Sequence, residues 1–116
     1  MRMLIGALAA VALTGCMGPG MNQTRTTGPT KSFTSSKAEN VVAQCIQFSW
    51  QDDAVFGVDA AAYLQPGYKD GSTVYTRGAE FFADVRHEGA GTVVDYYATN
   101  SKPIGARRLA AVATCL

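Results

Sequence analysis

Stretches that can bury one side alternate along this chain with stretches that can bury nothing. A single early charge, Arg2, precedes an uninterrupted apolar run over residues 3–13. Glycine, proline, threonine and serine dominate residues 17–34, which carry no apolar period. Ser36-Lys37-Ala38-Glu39 then has the spacing of a helix capping box. Ala38, Val41, Val42, Cys45, Ile46 and Ser49 follow at helical spacing, and Trp50 extends the same side. After Asp52-Asp53 the period changes. Val58, Ala60, Ala62 and Leu64 fall on one side of an alternating stretch at 58–68, with Tyr63 opposing. Lys69-Asp70-Gly71-Ser72 holds an Asp-Gly pair that favours a tight hairpin, and residues 73–77 suit a returning strand. Phe81, Ala83 and Val85 share a face, Gly89-Ala90-Gly91 supplies a second turn, and Thr92-Val93-Val94-Asp95-Tyr96-Tyr97 is rich in β-branched and aromatic residues. Ser101-Lys102-Pro103 signals a last helix, with Ile104, Arg108, Ala111, Val112 and Cys115 along one side and Leu109 and Leu116 widening the stripe. The order helix, four strands, helix predicts an α+β fold: a four-stranded antiparallel sheet with both helices packed on one face.

The beginning of the chain asks for a different account. Its apolar run is about eleven residues, against roughly twenty for a bilayer-spanning helix. The basic start, the apolar middle and the small-residue end at Leu13-Thr14-Gly15-Cys16 follow the layout of a secretory signal. Those last four residues resemble a bacterial lipobox, whose cysteine is acylated and becomes the first residue of the mature protein. The expected organisation is therefore a signal peptide at 1–15, a lipidated flexible tether at 16–35 and a small globular domain at 36–116. As a free coil the tether spans about 25 Å, and fully extended about 60 Å.

Charge and cysteine content narrow the expectation further. Of ten Lys and Arg, Arg2 falls in the signal, which leaves nine basic against nine acidic side chains. That balance offers neither a nucleic-acid footprint nor a polybasic membrane patch, so membrane attachment rests on the lipid at Cys16. With Cys16 acylated, Cys45 and Cys115 remain. An even remainder in an oxidising compartment most simply forms one bridge, the alternative being two buried free thiols.

The chain resembles a loose group of small proteobacterial lipoproteins that share a lipobox, a polar tether, a helix with Cys-Ile-x-x-x-Trp and a terminal helix ending in Cys-Leu. Here these are Cys45-Ile46-Gln47-Phe48-Ser49-Trp50 and Cys115-Leu116, with Tyr96-Tyr97 in the expected aromatic strand. The resemblance implies an address and an architecture, and no activity. Met17 after the cysteine, in place of aspartate, implies outer-membrane sorting with the domain facing the periplasm.

Candidate chemistry is sparse. His87 lies beside Glu88 and close to Asp84, which suits a carboxylate-oriented base, but a solvent-exposed turn histidine is the simpler reading. Asp52-Asp53 lacks an oxygen-rich loop for calcium and is expected to end the first helix in water. Trp50 is expected in the core rather than as a stacking platform. Arg107-Arg108 is expected to favour the negative end of its own helix dipole. Of Tyr96 and Tyr97, adjacent in a strand, one is expected inside and the other outside, where with Tyr63 and Tyr75 it would form an aromatic partner-contact patch. No catalytic residue, metal ligand set or cofactor motif stands out. The favoured expectation is a non-catalytic, lipid-anchored accessory protein with an envelope protein as partner. An exclusion or immunity lipoprotein is the alternative, and a binder of a small ligand or glycan comes third.

Overall fold

A computed structural model describes residues 19–57, 60–66 and 68–116, so the expected signal peptide and Cys16 lie outside the described residues. Three helices and five strands follow one another: α1 (Pro19–Thr26), β1 (Lys31–Ser35), α2 (Glu39–Gln51), β2 (Ala62–Pro66), β3 (Ser72–Thr76), β4 (Phe81–Glu88), β5 (Gly91–Ala98) and α3 (Pro103–Thr114). The strands form one antiparallel sheet in the order β1-β5-β4-β3-β2. The fold is thus α+β as expected, with five strands instead of four.

The additional strand comes from the stretch read as a tether. Lys31–Ser35 pairs with β5, Phe33 opposite Val94 and Ser35 opposite Thr92. It carries one apolar residue, Phe33, which packs against the core. One inward side chain on a five-residue edge strand leaves almost no hydrophobic period for a sequence reading to find. Thr30 extends the attachment, its amide bonding to the Tyr96 carbonyl and its hydroxyl accepting from the Ala98 amide.

That attachment also moves the start of α2. Ser36 does not cap it: the helix begins at Glu39, with extended Ala38 at the N-cap and no side-chain cap. The chain is held against the sheet as far as Lys37, whose carbonyl accepts from Thr92 Oγ1 and whose amide donates to Ser35 Oγ. Glu39, expected to reach back to the capping serine, instead accepts from Ser72 Oγ at 2.9 Å.

Strand alternation gives the sheet two faces. The inner face, with Ala62, Val74, Phe81, Ala83, Val85, Val94 and Tyr96, packs against Val42, Ala43, Ile46 and Trp50 of α2 and Val112 of α3. Gly105 lets α3 approach closely, since a side chain there would meet the Phe81 ring. Tyr96 donates to the Gly105 carbonyl at 2.9 Å and meets Trp50 edge-on, 6.3 Å between ring centres. Gly71, in the turn before β3, has a comparable role, because a side chain at that position would run into the Val85 carbonyl of β4.

Helices α2 and α3 are fastened to each other in two ways. Cys45 and Cys115 form a disulfide across 70 residues of sequence. At the other end, Trp50 Nε1 donates to the Arg108 carbonyl at 3.0 Å while Arg108 donates to the Trp50 carbonyl at 2.9 Å. Arg108 also binds Asp53 at 3.1 Å. This corrects two expectations. Asp53 is buried rather than wet, and Arg108 serves the carbonyl end of α2 rather than that of its own helix. Arg107 is the more exposed of the pair and reaches Asp53 at 3.4 Å.

Removing the crosslink tests this clamp. A closed loop of this length stabilises by about 4 kcal/mol in the chain-entropy account. The Cys45→Ala/Cys115→Ala variant should accordingly show a markedly lower denaturation midpoint by chemical unfolding. An unchanged midpoint would show that the bridge constrains nothing.

Candidate functional site

The outer face of the sheet, opposite α2 and α3, gathers the aromatic residues expected to contact a partner. Strand register aligns Tyr63 with Tyr75, Tyr75 with Phe82, and Phe82 with Tyr97, forming one aromatic row across four strands. Tyr63 and Tyr75 rings lie 5.3 Å apart, and Phe82 stacks on Tyr97 at 4.6 Å. A polar row runs beside it: Gln65, Thr73, Asp84, Asp95 and Ser32 are successive register partners across all five strands.

Asp84 and Asp95 thus oppose each other directly, an arrangement that destabilises a strand pair unless the charges are compensated. Each is. Arg25 of α1 forks onto Asp84 with both contacts at 2.7 Å, and Thr73 Oγ1 donates to the same carboxylate at 2.7 Å. Arg86 holds Asp95 at 2.6 Å, and Ser32 Oγ donates to it at 2.7 Å. The Asp84 side chain is 1% exposed and that of Arg25 13%, so this ion pair is substantially removed from water. The guanidinium of Arg25 also lies 4.5 Å from the Tyr68 ring centre and 5.3 Å from that of Phe82, within cation–π range. Its hydrogen bond to Asp84 raises the Arg25 pKa further above its ordinary value, despite partial burial.

Helix α1 therefore belongs to this face. Part of the stretch read as a free tether is docked through one arginine, which reaches the part of the face that holds Phe82 and Tyr97. Tyr96 and Tyr97 are both buried, at 1% and 4% exposure, which corrects the expectation that one of them faces solvent. Tyr96 belongs to the inner core, and Tyr97 lies on the outer face, stacked on Phe82 with Arg25 and Tyr68 nearby. Of the four tyrosines proposed as contacts, Tyr63 is exposed and Tyr75 half-buried. Cys45 and Cys115 are joined in the core layer and not available for other chemistry.

The remaining candidates disperse. His87 is exposed at the end of β4, and alternation places it on the face opposite Asp84. Glu88 is taken by Arg86. Trp50 is fully buried in the core, as expected. A cleft of about 290 Å³ between the β3–β4 turn and the start of α3 is lined by Thr76, Arg77, Glu80, Phe81, Lys102, Ile104 and Arg108. Lys102 closes onto Glu80 at 2.9 Å, and Arg108 is committed to Asp53 and Trp50. Among the described residues no group of three or more acidic, histidine or cysteine side chains could hold a metal ion, and no helix is long and apolar enough to cross a membrane. Sequence reasoning missed Arg25, and it considered Asp84 only as a carboxylate near His87. The one signal for Asp84's burial is a charge between the apolar strand neighbours Ala83 and Val85, while Arg25 lies in a stretch with no apolar period.

The outer face makes a prediction in alkali. Burial, with the nearby Asp84 and Asp95 charges, pushes the Tyr97 phenol up from 10 to about 12. A pKa raised by folding stabilises the fold fully below the unfolded value and is lost as pH rises through the folded one. Stability should thus fall between pH 10 and about 12, and Tyr97→Phe should flatten that fall. Denaturant titrations across this window check it, and identical slopes for the two proteins would contradict it.

No protein-family profile, no curated protein and no solved structure matches this chain.

Proposed function

We propose that this protein is a non-catalytic, lipid-anchored accessory of a bacterial envelope, acylated at Cys16 and presenting its domain to another envelope component. The observation that carries this reading is the Cys45–Cys115 disulfide. A crosslink between core helices belongs to an oxidising compartment, and of the three cysteines in the sequence it leaves Cys16 as the one outside the bridge. Cys16 is also the residue that closes the lipobox-like Leu13-Thr14-Gly15-Cys16.

A non-catalytic role fits how the charged groups are used. Arg25, Arg86, Lys102 and Arg108 each bind a carboxylate of the same fold. Partner binding is supported by apolar surface on the far side of α2, where Val41 and Phe48, seven residues apart, are 50% and 57% exposed. Outer-membrane residence facing the periplasm is part of the same proposal and rests on Met17 following the cysteine.

The experiment is metabolic labelling with radioactive palmitate in a Gram-negative host, followed by in-cell crosslinking. Wild-type protein should take the label and crosslink to an envelope protein, and Cys16→Ser should lose both. Equal labelling of the two proteins, or none, would overturn the anchor. Crosslinking that survives Cys16→Ser unchanged would overturn the tethered role.

A further inference from the structure

The docking of α1 determines where an anchor at Cys16 would hold the domain. Only three peptide steps separate Cys16 from Pro19, the first residue of α1. Such a link reaches at most about 11 Å. From Pro19 onward the chain is no free spacer, because Arg25 in the last turn of α1 is forked onto Asp84 in the middle of the sheet. An acyl group on Cys16 is therefore held within about 20 Å of the Arg25–Asp84 pair, which lies on the outer face, whereas α2 packs on the opposite side of the sheet.

The chemistry of the outer face agrees with a lipid surface as its occupant. Its two central carboxylates are each neutralised by an arginine, so they present little net negative charge to headgroups. On the same face Arg25 of α1 lies over half-buried Tyr68, whose ring is 5.5 Å from the ammonium of exposed Lys69, and the aromatic row runs on to half-buried Tyr75 and exposed Tyr63. Tyrosine has an apolar body and a polar tip, which suits the depth where headgroups meet acyl chains. Of the exposed residues of α1, Asn22, Gln23 and Thr26 are polar and uncharged, and Gly20 carries no side chain. Intrinsic affinity need not be large. A short link raises the effective concentration of the surface to the millimolar range or above, so a weak contact is populated.

We infer that the outer face, formed by α1 with Tyr63, Tyr75, Tyr68 and Lys69, is a membrane-docking face that lies on the headgroups of the bilayer carrying the anchor. The inference rests on acylation at Cys16. It turns α2 and its exposed Val41 and Phe48 away from the membrane, toward whatever the domain meets in the periplasm.

The test uses the full acylated protein in phosphatidylethanolamine–phosphatidylglycerol vesicles, its acyl chains verified by intact mass. A fluorescent non-natural amino acid is placed either at Gln23 on α1 or at Ala113 on α3, both exposed. Lipids with spin-labelled headgroups act as quencher. Quenching at Gln23 should exceed that at Ala113 several-fold. A flexible Gly-Ser insertion of about twelve residues between Gly18 and Pro19, adding roughly 20 Å of reach, should bring the two toward equality. With acyl chains present, equal quenching in the uninserted protein overturns the docking face alone. A ratio unmoved by the insertion overturns the short link as its cause. Absence of acyl chains overturns the anchor, and the inference with it.

Discussion

Two carboxylates facing each other across the centre of a sheet must be neutralised, and much of this fold follows from how that is done. Asp84 and Asp95 are register partners on β4 and β5. Arg86 reaches Asp95 from the same strand pair, but nothing within the four-stranded meander serves Asp84 in the same way. Its counter-charge comes from Arg25, nearly sixty residues earlier, and that requirement docks α1 on the outer face. With α1 in place, the short segment after it runs along β5 as a fifth strand. Leaving a buried carboxylate without its partner costs about 3–5 kcal/mol, and avoiding that cost offsets part of the entropy lost in ordering α1.

The inner layer solves a different problem. Two helices must stay together over a small sheet, and α2 and α3 share a modest apolar seam. The disulfide fixes one end, and the exchange of hydrogen bonds between Trp50 and Arg108 fixes the other. Arg108 satisfies the carbonyl end of α2, stands 5.6 Å from the Trp50 ring centre and neutralises Asp53. The clamp therefore needs both helix ends in register, and shifting either would break several contacts at once.

What the sequence disclosed and what it hid divide along a physical line. Helix α2, strands β4 and β5 and helix α3 were legible because Val42, Ile46 and Trp50, or Phe81, Ala83 and Val85, repeat at the period of their element. The bridge was legible because Cys45 and Cys115 are the even remainder once Cys16 is assigned to lipid, and both fall on the apolar sides of their helices. Segments held by polar pairing were not legible. Strand β1 has Phe33 alone to bury, and α1 is placed by one ion pair whose partners are distant in sequence. The Ser36 capping box misled because strand pairing through Lys37 competes for the same residues. Tyr97 misled because Phe82 of the neighbouring strand stacks on its ring and Arg25 reaches the same part of the face. The aromatic row was half legible: Tyr63 and Tyr75 lie on the outer face as a pair, but Phe82 joins them only through the observed register.

Residues 19–35 belong to the domain through α1 and β1, and hydrogen exchange followed by mass spectrometry tests that most directly. In the native, oxidised protein, peptides covering α1 and β1 should exchange far more slowly than the same sequence as a free peptide, β1 approaching the protection of β5. Exchange of residues 19–35 at the free-chain rate, with β4 and β5 still protected, would contradict it: the stretch would be a tether, and the outer face would be open.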